Sequence, residues 1–266
     1  MSSAYEVVGT VGRLFRYPVK SMGAEEVVET RVGWHGVRGD RHYAFVRTGN
    51  TTHFPWLTAR QVPDLLRYAP RYADPSTPAT SPVAVRLPDG HELDVRDEAL
   101  RDTLAVAHGA PVHLMQVDRG AFDSMELSVT TTASLQHLGA WVGQELDPRR
   151  FRQNVIVETR DGRPYAEDAW VDGLLLCGEG SDEVRVRLAR CIPRCMMVNL
   201  HPDTAEQEVP LGSAVGDRVA LSPERRTSPC DPLSAVSVSV ARLGATYPGR
   251  QVTVQHQTSR ARCGAP

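Results

Sequence analysis

Apolar and polar positions alternate in short runs along most of this chain, a pattern that predicts β-strands. Residues 8–18 read as a strand running into a turn, and residues 25–32 as a second, shorter strand. Residues 42–47 alternate and end in Thr48-Gly49-Asn50, a turn of the kind that joins hairpin strands. Residues 83–87 and 92–95 flank Pro88-Asp89-Gly90, a hairpin signal. Residues 74–82 carry three prolines among small polar residues and suit a surface loop, because such a stretch supports neither helix nor ladder. Further strands are expected at 154–158, 173–177, 184–188, 195–200, 235–240 and 251–254. Helices are fewer: a short one at 63–68, a longer one at 97–107, and one that starts in Thr130-Thr131-Thr132-Ala133-Ser134 and runs through Leu135, Leu138 and Trp141. The hydroxyl-rich start of the last is what a helix N-terminus favours. The expected fold class is mainly β with a few helices (α+β), built around a barrel-like body.

Composition narrows the function classes. A chain of 266 residues holds one large domain or two small, closely packed ones. The net charge of −2 offers no basic excess for nucleic acid. No apolar run approaches the ~18–20 residues that span a bilayer, so no membrane partner is expected. The N-terminal residues lack the pattern of a signal peptide, and a cytoplasmic location follows as the expectation. Five cysteines, an odd number, argue against a disulfide framework. Structural zinc is disfavoured, because Cys191 and Cys195 have no second Cys/His pair at finger-like spacing. Lysine occurs once, at Lys20, in a chain otherwise committed to arginine. A compact ammonium is thus expected to serve at that one position where a planar guanidinium would not, with a solvated surface lysine as the alternative reading.

Five short segments concentrate arginine, lysine, hydroxyl and thiol groups: Tyr17-Pro18-Val19-Lys20-Ser21, Gly39-Asp40-Arg41, Thr58-Ala59-Arg60-Gln61, Arg150-Phe151-Arg152-Gln153-Asn154, and Arg190 to Cys195. In this order, with Thr131-Thr132-Ala133-Ser134-Leu135, residues 165–170 and Pro202-Asp203-Thr204, they resemble the MOSC family. The resemblance is to the subgroup with its own N-terminal β-barrel region, which includes the mitochondrial amidoxime-reducing components and the C-terminal part of molybdenum-cofactor sulfurase. It covers about residues 8–204 and implies an N-terminal MOSC-associated region over 1–120 and a MOSC domain over 121–266.

The resemblance implies an anionic molybdenum–pterin cofactor, with Cys195 as the catalytic residue and the metal ligand. A soft thiolate suits that metal, and Arg190 and Arg194 nearby in sequence favour the thiolate over the thiol. Cys191 is the rival ligand. Lys20, Arg41 and Arg152 are expected on the cofactor's phosphate and pterin edge, by charge-assisted bonds, with Arg194 beside them. Ser21, Thr131 and Thr132 are candidate hydroxyl or backbone N–H donors, with plain helix capping as the alternative reading. Asn154 is a candidate for the amide-like edge of the pterin. Arg60 is expected to pin a loop through a carboxylate, and Glu167 and Asp168 to orient the arginines. Gln153 stands where the family pattern has proline. Two stretches, Val215-Gly216-Asp217 and 251–254 after Tyr247-Pro248-Gly249, compete for the closing strand.

An oxidoreductase that reduces N-oxygenated small molecules is the leading expectation. It needs a separate electron-transfer protein, since no iron–sulfur spacing appears. Sulfur transfer or carbon–sulfur cleavage at Cys195 and non-catalytic cofactor carriage are the alternatives. Pyridoxal phosphate is disfavoured, because Lys20 lacks a glycine-rich phosphate cradle.

Overall fold

The computed structural model describes residues 5–123, 126–178, 183–192, 196–208, 235–242, 244–246 and 251–255. The longest alternating run forms the longest strand, β1 (Tyr5–Arg16). Short strands follow: β2 (Glu25–Glu26), β3 (Thr30–Gly33), β4 (Gly36–Val37) and β5 (Tyr43–Arg47). Next come β6 (Ala69–Tyr72), β7 (Val83–Arg86), β8 (Glu92–Asp94), helix α1 (Glu98–His108) and β9 (Val112–Gln116). Beyond them lie β10 (Leu127–Thr131), helix α2 (Thr132–Val142), β11 (Val155–Thr159), β12 (Leu174–Cys177) and β13 (Val184–Ile192). The last strands are β14 (Ala235–Arg242), β15 (Gly244–Thr246) and β16 (Gln251–Gln255). The fold is mainly β, with two α-helices among the described residues.

The principal sheet runs β11-β10-β14-β13-β12-β16-β1-β2, and a further pairing of β11 with β1 closes its strands into a ring. Only β10 and β11 run parallel; the other neighbours in the ring are antiparallel. Strand β1 makes closure possible. Its ladder shifts register between Val11 and Arg13 against β11, and between Val7 and Gly9 against β16. Such bulges bend a strand so that it serves two neighbours. The ring is filled by inward aliphatic residues, among them Val11, Leu14, Val129, Val157, Leu175, Val186, Leu188, Val252 and Val254. Strand β16 therefore closes the barrel, which answers the question that two sequence stretches had left open; residues 215–217 lie outside the described residues.

A second core packs α1 against the β5-β9 and β6-β7-β8 sheets around Phe45, Leu57, Val83, Leu100 and Leu104. Helix α1 is capped as its sequence asks: Asp97 accepts from the Ala99 N–H, and Gly109 ends the helix in the left-handed region. A third cluster (Phe15, Tyr17, Leu135, Leu138, Phe151 and Val198 among its members) lies between α2 and the outer wall of the barrel. No helix among the described residues is long and apolar enough to cross a membrane.

Two sequence expectations need correction. The strand expected at 25–32 is broken, with β2 and β3 separated by the exposed Val28. The strand expected at 195–200 is instead a 3-10 turn, Met196–Asn199. There Val198 points into the α2 layer while Leu200 packs on Ala59 and Leu66, so no straight pleat satisfies both.

Candidate cofactor site

Three loops interlock where β1 leaves the barrel. Tyr17 takes its place through two bonds: its N–H donates to Asp40 Oδ1 at 2.7 Å, and its carbonyl accepts from the Arg41 N–H at 2.6 Å. The Lys20 N–H donates to the Tyr43 carbonyl at 2.8 Å, and the Ala121 N–H to the Arg41 carbonyl at 2.8 Å. The loop before β11 joins through Arg152, whose Nη1 donates to the Met22 carbonyl at 2.8 Å, while Arg41 Nη2 donates to the Arg152 carbonyl at 3.2 Å. Gly39 fits because nothing larger does. A Cβ there would lie 2.7 Å from Pro78 Cβ and 2.8 Å from the Tyr72 ring, at a φ of +81°.

Backbone strain gathers at the same place. Non-glycine residues with positive φ include Ser21 at 66°, Arg41 at 54° and Arg152 at 54°. Each was a candidate from sequence. Left-handed backbone is uncommon for such residues and persists where the surroundings over-determine it, typically at functional sites.

The side chains make a cationic cluster around one phenol. The guanidinium carbons of Arg41 and Arg152 lie 4.8 and 4.3 Å from the centre of the Tyr17 ring. Burial pushes the Tyr17 hydroxyl up to about 12, against the pull of Arg152 and Arg41, so it stays a neutral phenol. Lys20 is buried; its ammonium donates to the Ala121 carbonyl at 2.7 Å, pairs with Asp123 and sits 5.4 Å from the centre of the Phe54 ring. Burial pulls its pKa down to about 8 in spite of Asp123. Arg41 pairs with the fully buried Asp40. Burial, and then the charge of Arg41, pull the pKa of Arg152 down as well. Arg152 Nη2 is buried and has no hydrogen-bond partner among the described residues. Three cations thus face two carboxylates, and one buried donor is left over. An unmade charged hydrogen bond inside a protein is costly, and a bound anion would repair it.

Helix α2 frames the pocket from behind. Thr131 caps it by accepting from the Ser134 N–H. Buried Glu167 accepts from the Thr130 hydroxyl at 3.0 Å, the Thr131 hydroxyl at 3.0 Å and the Ser134 hydroxyl at 2.9 Å. This corrects the expectation that Glu167 orients arginines; it orders hydroxyls at the helix start, where Thr131 stands as the cap. Asp168 is buried on the same turn, Ala166–Trp170. Thr132 is half-buried at the helix's first position. Asn154 is committed too: its Oδ1 accepts from the Ser128 N–H at 3.2 Å and its Nδ2 donates to the Phe15 carbonyl at 3.2 Å. It ties β1 to β10 behind the pocket. Gln153 is buried, and its amide donates to the Phe151 carbonyl at 2.8 Å.

Cys195 and Arg194 lie outside the described residues. The chain just after them is held against the Arg149–Arg152 segment: Arg149 bridges Asp147 and Asp203, and Arg150 pairs with Glu208. Cys191, on β13, is disulfide-bonded and presents no thiolate, which corrects the expectation, drawn from the odd cysteine count, that the chain forms no disulfide. Cys177 is free but buried, which pushes its thiol up to about 12. Arg60 is exposed and makes no ion pair among the described residues, against expectation. Among the described residues no group of His, Cys, Asp and Glu is placed to hold a metal.

Sequence reasoning assigned no role to Tyr17, Asp40 or Asp123. The first two stand inside recognised segments, so their signal was position beside a chosen cation; Asp123 carried none.

A closed barrel with a strained cluster of buried cations where its first strand ends defines the class: a mainly β protein with a candidate anion site. The particular family is shown by comparison: the MOSC N-terminal beta barrel domain matches residues 8–141 and the MOSC domain residues 107–252, so the chain belongs to the MOSC family. It is 27% identical to human mitochondrial amidoxime reducing component 2 over 92% of this chain and 83% of that protein. It is 27% identical to human mitochondrial amidoxime-reducing component 1 over 74% of this chain and 68% of that protein. The component 2 protein of Macaca fascicularis is 31% identical over 49% of this chain and 37% of its own length. Among solved structures, the YUAD protein from Bacillus subtilis matches 96% of this chain and 99% of its own, at a TM-score of 0.45 and 13% identity.

Proposed function

We propose that this chain binds a molybdenum–pterin cofactor in the Lys20–Arg41–Arg152 pocket, with the Cys195 thiolate as the protein's ligand to the metal. We further propose that it reduces N-oxygenated small molecules with electrons from a separate carrier protein. The observation that carries the reading is the buried, unpartnered Nη2 of Arg152 amid three cations and two carboxylates. MOSC membership and the relatives' names, amidoxime reducing components, support the chemistry.

The residues divide the work by what they still have free. Arg152 and Lys20 offer charge-assisted donors to the cofactor's phosphate and pterin edge. Arg41 adds positive field while Asp40 fixes its direction. Ser21 and Thr132 are the remaining hydroxyl candidates, the latter in the first turn of α2 where backbone N–H groups are open. Thr131 and Asn154 act from behind by holding α2 and β1 in place. Arg194 is assigned by its place beside Cys195 in the sequence. Two-electron redox chemistry is what the bound group would supply.

The test is molybdenum analysis with pterin extraction, under reducing conditions, on protein made in a host that supplies the cofactor, beside Cys195→Ser. Near-stoichiometric molybdenum in the wild type, lost in the variant, is expected. Next, a reduced donor should be oxidised only when an N-oxygenated substrate is present. Absence of molybdenum and pterin from the wild type would overturn the reading; sulfide release without any donor would redirect it to sulfur transfer.

A further inference from the structure

We infer that Asp123 is a displaceable counter-ion, which holds the anion position at Lys20 in the cofactor-free protein and leaves when an incoming phosphate-type oxyanion takes its place. The inference rests on the cationic-pocket reading above and adds a residue to which that reading gives no role.

The two aspartates of the pocket differ in how firmly they are held. Asp40 has no exposed side-chain surface and accepts from the Tyr17 N–H as well as from Arg41, so it cannot leave without dismantling the loop. Asp123 has 60% of its side chain exposed, and among the described residues its one hydrogen-bonding partner is Lys20, whose own side chain is 5% exposed. A carboxylate already more than half in water regains hydration by rotating fully into it, so the cost of its departure falls on the buried Lys20. Lys20 is not left bare when that happens. Its ammonium keeps the Ala121 carbonyl and the face of Phe54, and these two contacts point its remaining N–H to where the carboxylate was. Departure of Asp123 also raises the excess of positive charge around Lys20 by one, which strengthens the attraction for an oxyanion. A carboxylate that fills an anion site lowers the site's apparent affinity, because it must be displaced first.

Lys20 is the sole lysine of the chain, so lysine labelled with ¹³C and ¹⁵N in the side chain gives one resonance that reports on this pocket alone. The experiment titrates inorganic phosphate into cofactor-free full-length protein at pH 6 under reducing conditions. The proteins compared are wild type, Asp123→Asn, Asp123→Ser and, as a net-charge control, Asp161→Asn, a change in the exposed Arg163–Asp161 pair. A saturable shift in the wild type is expected, with half-saturation at least fivefold lower in both Asp123 variants and unchanged in the control. Without phosphate, the Lys20 resonance should titrate at lower pH in the Asp123 variants than in the wild type. Saturable binding in the wild type with half-saturation unchanged or raised in both Asp123 variants overturns the inference and leaves the pocket reading intact. No response of the Lys20 resonance in any protein overturns the pocket reading itself, and this inference with it.

Discussion

Arg152 shows how a single side chain can be placed for something other than stability. Its Nη1 hydrogen bond and its ring contact are ordinary packing, but Nη2 is buried without a partner among the described residues. Replacing it with methionine removes that unsatisfied donor along with one good hydrogen bond, and the two effects oppose each other at roughly 1–3 kcal/mol each. Arg152→Met should therefore change the stability of the cofactor-free protein by less than ~1 kcal/mol while cofactor content falls at least tenfold. Urea unfolding and pterin analysis read the two separately. Lys20 gives a prediction with a definite sign. Its folded pKa of about 8 lies below that of a lysine in the unfolded chain. Between about pH 8 and pH 10.4 the unfolded chain thus holds more protons, and stability rises with pH; below that window both forms are charged and the penalty is constant. Lys20→Met should stabilise the cofactor-free protein at pH 7 by ~1–3 kcal/mol and flatten the rise between pH 8 and 10.4. A wild type whose urea midpoint falls across that window, relative to the variant, contradicts the burial of a charged lysine. At this scale the cations were legible because their chemistry is written in the residue type. Tyr17, Asp40 and Asp123 were not, since each acquires its role from a partner that only the fold brings near.

Elements with their own local signal were the easiest to read. The Pro88-Asp89-Gly90 hairpin and the helix expected at 97–107 are specified by neighbours in sequence, and both form, the helix with Asp97 as its cap. β10 went unread because all of its residues, Leu127–Thr131, are buried, so no alternation marks it. A strand walled by neighbours on both faces loses the period that identifies it. The reason it can bury three hydroxyl residues lies across the chain: Glu167 accepts from Thr130 and Thr131, and also orders Ser134 in the first turn of α2, while Asn154 accepts from the Ser128 hydroxyl. Glu167→Ala strands several buried donors at once and should destabilise by ~3–5 kcal/mol, whereas Glu167→Gln, which retains one acceptor oxygen, should cost about half as much. Chemical unfolding of the two variants checks the order. Equal losses would mean that the site tolerates any polar side chain of that length.

The whole molecule depends on one seam that no local pattern announces. Gly9 of β1 stands opposite Thr159 of β11 and Val252 of β16, so the first strand of the chain joins the last strand of the barrel to one from its middle. Such closure is a long-range pairing, and hydrophobic alternation alone fixes which face of a strand points inward but not which strand lies beside it. Hence the sequence left two candidates for the closing strand, while the geometry selects Gln251–Gln255. Gly9 is required there by space: a Cβ would approach the Glu158 carbonyl oxygen to 2.0 Å, and backbone on that side cannot yield without parting β1 from β11. Gly9→Ala should then destabilise by ~2–4 kcal/mol, far more than a glycine-to-alanine change in an open strand, where alanine is usually favoured by its lower backbone entropy. Val252→Asp, at a fully buried position of the same seam, should be at least as damaging through an unpaired buried charge. Because the pocket hangs on the end of β1, both variants should also release cofactor before they unfold the α1-containing core, giving two separate transitions by pterin fluorescence and circular dichroism. A single transition shared by both probes would mean that the barrel and that core fold as one cooperative unit.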